Sequence, residues 1–463
     1  MKDTERTFVF SALVVLLLLG LHFLPDITID GTELRRVSIL SDLFPDSSRT
    51  AQPVIPPPEP VTMAQTRHGK IKFKEEWPEG TEPIIDYSAD GTNMDIFYEA
   101  LSKVKTMDRP VRIAWFSDSF IEDDIVTADI REFFQKDFGG CGVGWVDLAN
   151  PENKDSRRTV TQQTAGATEY TVAGKPFDNN RTGINERYYT VAAGARVTTS
   201  VSSVFNRRQP HSKHFEVTRL FFRAPSGAVI TASVNGGKAV ACNAAPSPEV
   251  QMMAMNTAGN TITYTFQKPG RGFTPFGMAL ESRRGVIVDC MSMRGSNGLP
   301  MRRIPQQTIA GFTRLRPYDL VIFQFGLNTA TTGNSKWIKT MYIPGIKKTV
   351  SYLHKAFAGS AFLVMSVSDR AQRSADGITT IPEVYDLVAC QQQVAADCHV
   401  AWLNFFKAMG GTGSITGLVD RRMANKDYTH LSYGGGHWVA AKVYPSFKAG
   451  YRNYLRRKKL EEN

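Results

Sequence analysis

The feature that most restricts the fold is a set of apolar runs without polar alternation. They are Val111–Phe116, Gly285–Met291, Asp319–Phe325 and Ala361–Val367, with a shorter one at Val400–Leu403. A strand that is apolar at successive residues buries both faces, as in a parallel sheet covered by helices. Helical spacing falls between the later runs, over about 303–314, 335–358 and 382–397. Pro382 stands near the start of the last of these, where its fixed φ suits a first helical turn. Another helix is expected from near Thr92–Asn93, because Ile96, Phe97, Ala100, Leu101 and Val104 share one face. Strands alternating with helices predict an α/β fold with a doubly wound parallel sheet.

The stretch 151–284 has a different character. It is rich in Thr, Ser, Val, Ala and Asn, with short alternating runs at Phe215–Phe222, Ala228–Val234 and Thr261–Phe266. Asn235-Gly236 is a hairpin turn signal between Val234 and Val240. This region reads as an inserted all-β sandwich or jelly roll that splits the α/β domain.

The amino-terminal run Thr7–Leu24 has roughly the minimum length of a bilayer span. Lys2 and Arg6 precede it, and Pro25-Asp26 follow with no small-residue cleavage site. This pattern reads as an uncleaved signal anchor, placing the remainder outside the cytoplasm and tethered to the inner membrane. The expected organisation is a signal anchor over 1–25, a linker over 26–91 and a first α/β segment over 92–150. The β-insert then covers 151–284, and a second α/β segment covers 285–463.

The formal charge of +11 raises the question of nucleic acid, but no zinc-finger, RNA-recognition or helix-turn-helix pattern accompanies it. No nucleic-acid partner is expected. The basic run Arg456-Arg457-Lys458-Lys459 reads as a solvated helix end, with attraction to an anionic membrane or glycan as the alternative. The five cysteines form no Cys-x-x-Cys pair, and no His-x-x-x-His or carboxylate cluster has ligand spacing. No metal, cofactor or disulfide is expected.

In an open α/β sheet, functional groups collect beyond the carboxyl ends of the strands. The first run ends at Asp118-Ser119, the second at Arg294-Gly295 and the third at Gly326-Leu327-Asn328. Asp427-Tyr428-Thr429-His430 lies beyond the fifth. A serine hydroxyl needs an adjacent base to act as nucleophile, and histidine oriented by a carboxylate supplies one. Ser119, His430 and Asp427 are the candidates. Backbone amides of Ser119 and Gly295 and the Asn328 side chain could stabilise an oxyanion. Each residue also has a structural reading. Ser119 and Glu122 fit a capping box, Gly295 a turn, Asn328 and Asp427 caps, and His430 and His437 surface or packing roles. Arg294 is read either as a contact for a substrate carboxylate or as a salt bridge.

The blocks Ser117-Asp118-Ser119, Gly295, Gly326-Leu327-Asn328 and Asp427-x-x-His430 resemble, in order and spacing, those of the SGNH, or GDSL-type, hydrolases. The resemblance covers about 92–150 and 285–450. "DSFIEDD", "FGGCGVGWV", "SMRGSNG", "FGLN" and "DYTHLS" look like the envelope branch that removes O-acetyl groups from peptidoglycan or other glycans. That branch carries a carbohydrate-binding-like β-domain within the hydrolase, which implies a glycan-orienting role for 151–284. Tyr188, Tyr189 and Phe205 are its candidate contacts, read equally well as core. Two positions depart from the pattern: Ser117 replaces the first glycine, and Asp123 stands where the branch usually has glycine. The absence of a Gly-x-Ser-x-Gly elbow argues against the α/β-hydrolase fold. The implied function is an extracytoplasmic serine carbohydrate esterase acting on an acetylated glycan polymer, peptidoglycan favoured. The alternatives are an O-acetyltransferase using the same Ser-His-Asp site and a non-catalytic glycan-binding envelope protein.

Overall fold

The structure, a computed structural model, describes residues 3–20, 28–29, 32–33, 73–201, 207–374 and 377–462. Residues 1–63 with 374–377 form one unit and the remainder another. In the first unit a helix spans Asp3–Gly20, and Thr28–Ile29 pairs antiparallel with Thr32–Glu33. The helix opens with Asp3, Glu5 and Arg6. Its uncharged portion, Thr7–Gly20, is therefore only about 21 Å long at 1.5 Å per residue, against roughly 30 Å of hydrocarbon. Among the described residues no helix is long and apolar enough to cross a membrane. The expected transmembrane anchor is corrected to that extent; Leu21–Leu24, the rest of the run, lie outside the described residues.

The large unit is built on a six-stranded sheet. Its order is Val286–Ser292, Val111–Ser117, Leu320–Gln324, Ala361–Met365, Ala401–Leu403 and Ile84–Asp86. The first five are parallel and the last is antiparallel. In chain order the parallel strands run second, first, third, fourth, fifth, so the order reverses between Val111–Ser117 and Leu320–Gln324. All residues of the first four strands are buried, as their apolar runs predict. Helices Gln306–Leu315, Ile343–Ala356 and Pro382–Asp397 occupy the expected intervals. The edge strand Ile84–Asp86 was expected to be linker. Its backbone pairs with Ala401–Leu403, and a strand of three residues is too short to show a period.

The β-region forms two antiparallel sheets. One has the order Val240–Ala244, Ala228–Val234, Thr261–Pro269, Arg187–Val201, Val160–Thr171; the other has Ser247–Met255, Val217–Ala224, Thr274–Glu281, Gly144–Asp147. Ala228, Ile230, Ala232 and Val234 alternate into a core between them. At the hairpin, Asn235 and Gly236 have φ of 51° and 70°, and Gly237 N donates to Val234 O at 2.9 Å. Gly144–Asp147 was expected in the first α/β segment, yet it pairs with Thr274–Glu281.

A buried ionic junction joins the two layers. Glu281 accepts from Arg112 at 2.7 and 3.1 Å and from Arg316 at 2.7 and 3.1 Å, and also receives Arg219. Burial would raise the Glu281 pKa, but Arg112 and Arg316 outweigh it and hold the carboxyl well below the usual carboxylate range. On the final helix, Tyr433–Glu461, the basic run is solvated as expected at Arg456 and Lys459, and the exception is Arg457. Arg457 is buried and pairs with Asp95, while Arg456 meets Glu76 at 2.7 Å.

Candidate active site

Ser119 sits just past the end of Val111–Ser117, beside the point where strand order reverses. A buried strand that stops must satisfy its next free amides. Asp118 Oδ1 does so by accepting from Phe120 N at 2.9 Å, a tight turn that leaves Ser119 half-exposed. The capping box does not form. The Ser119 hydroxyl meets His430 Nε2 at 2.9 Å, and Glu122 pairs with Arg294 at 2.7 Å. The helix begins later, at Thr127.

His430 is held by a turn with its own local logic. Asn425 N donates to His430 O at 2.8 Å and Tyr428 N to Asn425 O at 3.0 Å. Asp427 Oδ1 accepts from Thr429 N and His430 N at 3.0 and 3.1 Å, and its Oδ2 lies 2.8 Å from His430 Nδ1. A carboxylate acceptor assigns the ring hydrogen to Nδ1, so Nε2 is left to accept from the Ser119 hydroxyl. Partial burial works against ionisation of Asp427, but the hydrogen bonds from His430 and Thr429 prevail and keep its pKa below the ordinary value.

The next helix locks this turn to the serine loop. A Cβ on Gly435 would lie 1.9 Å from Met423 O, and one on Gly436 would lie 1.9 Å from Ile125 O. Only glycine allows the helix start to approach both loops this closely. Ser432 caps it, accepting from Gly435 N at 3.3 Å.

The loops after the second and third strands come together. Asn328 Nδ2 donates to Ser296 O at 2.9 Å, which leaves one amide hydrogen to donate elsewhere. Gly295, at φ 74°, is exposed, with open space where a side chain would stand. The loop is braced from the β-region. Ser296 Oγ donates to the Glu186 carboxylate, lying 3.1 and 3.2 Å from its two oxygens, and accepts from Gly298 N at 3.2 Å. Arg187 Nη2 donates to Ser292 O at 2.7 Å. Burial pushes the Glu186 carboxyl up to about 7. Neither Glu186 nor Arg187 has a local motif; their role depends on a contact across more than a hundred residues.

Together these residues form a hydrogen-bonded Ser–His–Asp chain beside a braced loop with amide donors. No family model matches the chain, and no curated protein matches it. Among solved structures it is similar to a peptidoglycan O-acetylesterase, with a TM-score of 0.66 and 20% identity over 80% of this chain and 99% of that one. The two chains share one fold. A family two carbohydrate esterase from Cellvibrio japonicus (8% identity, 64% and 99% covered) and a salicylyl-acyltransferase (12%, 66% and 96%) both match at a TM-score of 0.26. At that level they add nothing to the fold assignment.

The remaining expected positions divide. Arg294, offered as a substrate contact, is engaged by Glu122 at 2.7 Å and Glu152 at 3.0 Å, so its salt-bridge reading holds. Tyr188 and Tyr189 are buried, and Tyr188 stacks on Tyr170; they serve as core. Phe205 lies outside the described residues. His437 is more than a packing residue, since its Nδ1 meets Asp129 at 2.8 Å. Ser117 continues the strand pairing on both sides. Asp123 and Asp124 have φ of 59° and 66°, a left-handed conformation that glycine favours and aspartate tolerates. Asp124 is buried between Arg131 and Arg157. Burial opposes its charge, but the two arginines hold its pKa well below the usual range. For Asp123, burial with Glu152 and Glu122 nearby pushes the carboxyl up to about 7.

Proposed function

We propose that this chain is a serine carbohydrate esterase that removes O-acetyl groups from an envelope glycan, with peptidoglycan the favoured polymer. The observation that carries the reading is the chain Ser119 Oγ–His430 Nε2, His430 Nδ1–Asp427 Oδ2, at 2.9 and 2.8 Å. The fold shared with a peptidoglycan O-acetylesterase supports the choice of substrate.

Ser119 Oγ attacks the acetyl carbonyl carbon while its proton passes to His430 Nε2. The carbonyl oxygen becomes an oxyanion facing the amides of Ser119 and Gly295 and the Asn328 side chain. Collapse breaks the ester bond, and the leaving sugar oxygen takes the proton back from His430. Water then attacks the acetyl-serine, again giving its proton to His430; the bond to Ser119 Oγ breaks, Oγ takes that proton back, and acetate leaves. Asp427 keeps Nδ1–H oriented and offsets the imidazolium charge.

A fluorophosphonate probe should label the wild type and not Ser119→Ala, and acetate should be released from O-acetylated peptidoglycan. Equal labelling of both proteins sinks the nucleophile assignment. Acetyl transfer to an added glycan in place of acetate release would make the activity a transferase. The proposed location is outside the cytoplasm, supported by Lys2, Arg6 and the apolar run Thr7–Leu24. Protease digestion of spheroplasts tests it; a fully protected protein refutes it.

A further inference from the structure

A cavity of ≈ 480 Å³ lies between the α/β layer and the β-region, in the size range of small-ligand sites. Its wall includes Asp123, four residues beyond Ser119, and Tyr433, three beyond His430. The cavity is therefore walled in part by the segments that directly follow Ser119 and His430 in the chain.

Three arginines line it: Arg158, Arg207 and Arg208. All three are exposed, and among the described residues none has a carboxylate partner. Structural arginines in this protein behave differently: Arg112, Arg131, Arg157 and Arg316 are buried and paired. The Arg158 guanidinium lies 3.8 Å over the Tyr433 ring. Stacking holds it by the face and leaves its N–H edges to donate.

Three carboxyls also reach the wall, and two are spent. Asp124 is saturated by Arg131, Arg157 and Thr159. Asp129 is engaged by Gln209 at 2.9 Å and His437 at 2.8 Å. Asp123 alone keeps a buried oxygen, Oδ1, with no hydrogen-bond partner. A buried acceptor left unpaired is costly, and turning the half-buried carboxyl toward a ligand donor would relieve it. With its carboxyl pushed up to about 7, Asp123 is not a fixed negative charge against an incoming anion.

We propose that this cavity is a subsite for an acidic peptide substituent on the glycan strand, whose carboxylate meets Arg158, Arg207 and Arg208 and whose amide N–H meets Asp123. The inference rests on the esterase reading for its choice of polymer. It explains why a site near an ester that bears no charge is rimmed by unpaired arginines. A uronic acid shares the carboxylate but offers hydroxyls in place of amides.

The test is calorimetric binding to the full chain carrying Ser119→Ala, so that no turnover is needed. The ligands are a muropeptide, the same muropeptide with its carboxylates amidated, and an oligogalacturonate. The muropeptide should bind about tenfold more tightly than its amidated form. Arg207→Ala with Arg208→Ala should erase that difference, and Arg158→Gln should reduce it. Both changes lie on exposed side chains, and circular dichroism checks that the fold is kept. A preference that survives the double substitution, or no preference at all, overturns the proposal. Arginine-dependent binding of oligogalacturonate alone overturns the peptide in favour of a uronic acid. Loss of fluorophosphonate labelling in the wild type would overturn the esterase reading and leave these binding outcomes standing.

Discussion

Glu186 lies in the β-region, yet it braces the loop that carries the proposed oxyanion donors. Its carboxylate is the acceptor for Ser296 Oγ, and Ser296 O in turn holds Asn328 Nδ2. Glu186→Ala leaves a buried hydroxyl without its acceptor, a loss of about 1–3 kcal/mol. The loop can relieve that cost by shifting toward water, which moves Gly295 and Asn328 off the oxyanion. Wholly losing one oxyanion donor costs about 3–4 kcal/mol, so a loop shift driven by 1–3 kcal/mol should lower kcat about 10- to 100-fold. Glu186→Gln keeps an acceptor oxygen of the same reach and should stay within about threefold of wild type. At φ 62° glutamate, glutamine and alanine are strained alike, so the backbone does not confuse the comparison. The assay is kcat and KM on an aryl acetate, with a melting curve for each protein. Wild-type kcat in Glu186→Ala refutes the bracing argument. Equal impairment of both variants shows that charge, and not the acceptor, is what counts.

Asp427→Asn removes the carboxylate that assigns the His430 tautomer and should lower kcat by about 10³–10⁴ with KM little changed; a loss under tenfold refutes the orienting role. Asp123→Asn tests the carboxyl that burial pushes up to about 7. A folded pKa above the unfolded value means that folding favours the protonated form. Its contribution is present below about pH 4 and is lost as pH rises toward 7. The variant should therefore flatten the fall in melting temperature between those values, and asparagine accepts the left-handed backbone equally well. Glu281→Gln strands Arg112, Arg316 and Arg219 around a neutral amide and should cost about 3–5 kcal/mol in urea unfolding. Because the Glu281 pKa is depressed, its contribution is present above the unfolded carboxylate pKa and lost as pH falls through the folded one. The wild type should lose stability there more steeply than the variant.

The long parallel strands were legible because each buries both faces, and burial on both faces writes an unbroken apolar run. The candidate site was legible for a related reason: its groups follow those runs directly, so finding the strands finds the loops. Short elements were not. Ile84–Asp86 and Gly144–Asp147 are three and four residues long, and a segment that short takes its sheet from its neighbours. The capping box at Ser119 and Glu122 failed because both side chains have stronger distant partners, His430 and Arg294. Glu186 left no local trace, since its partner Ser296 lies 110 residues away.

Asp123 draws these lines together. As a sequence departure it stands where the resembled branch usually has glycine. Its φ of 59° lies in the left-handed region that glycine favours, and aspartate is among the few side chains that tolerate it. What the substitution adds is a carboxyl on the cavity wall, with one oxygen unpaired. A glycine there would give the same turn and no ligand for a donor. Under the proposed subsite, the change acts on what the cavity binds while sparing the path of the chain past Ser119. Asp123→Gly should accordingly leave labelling of Ser119 intact and weaken only the ligands that reach the arginines.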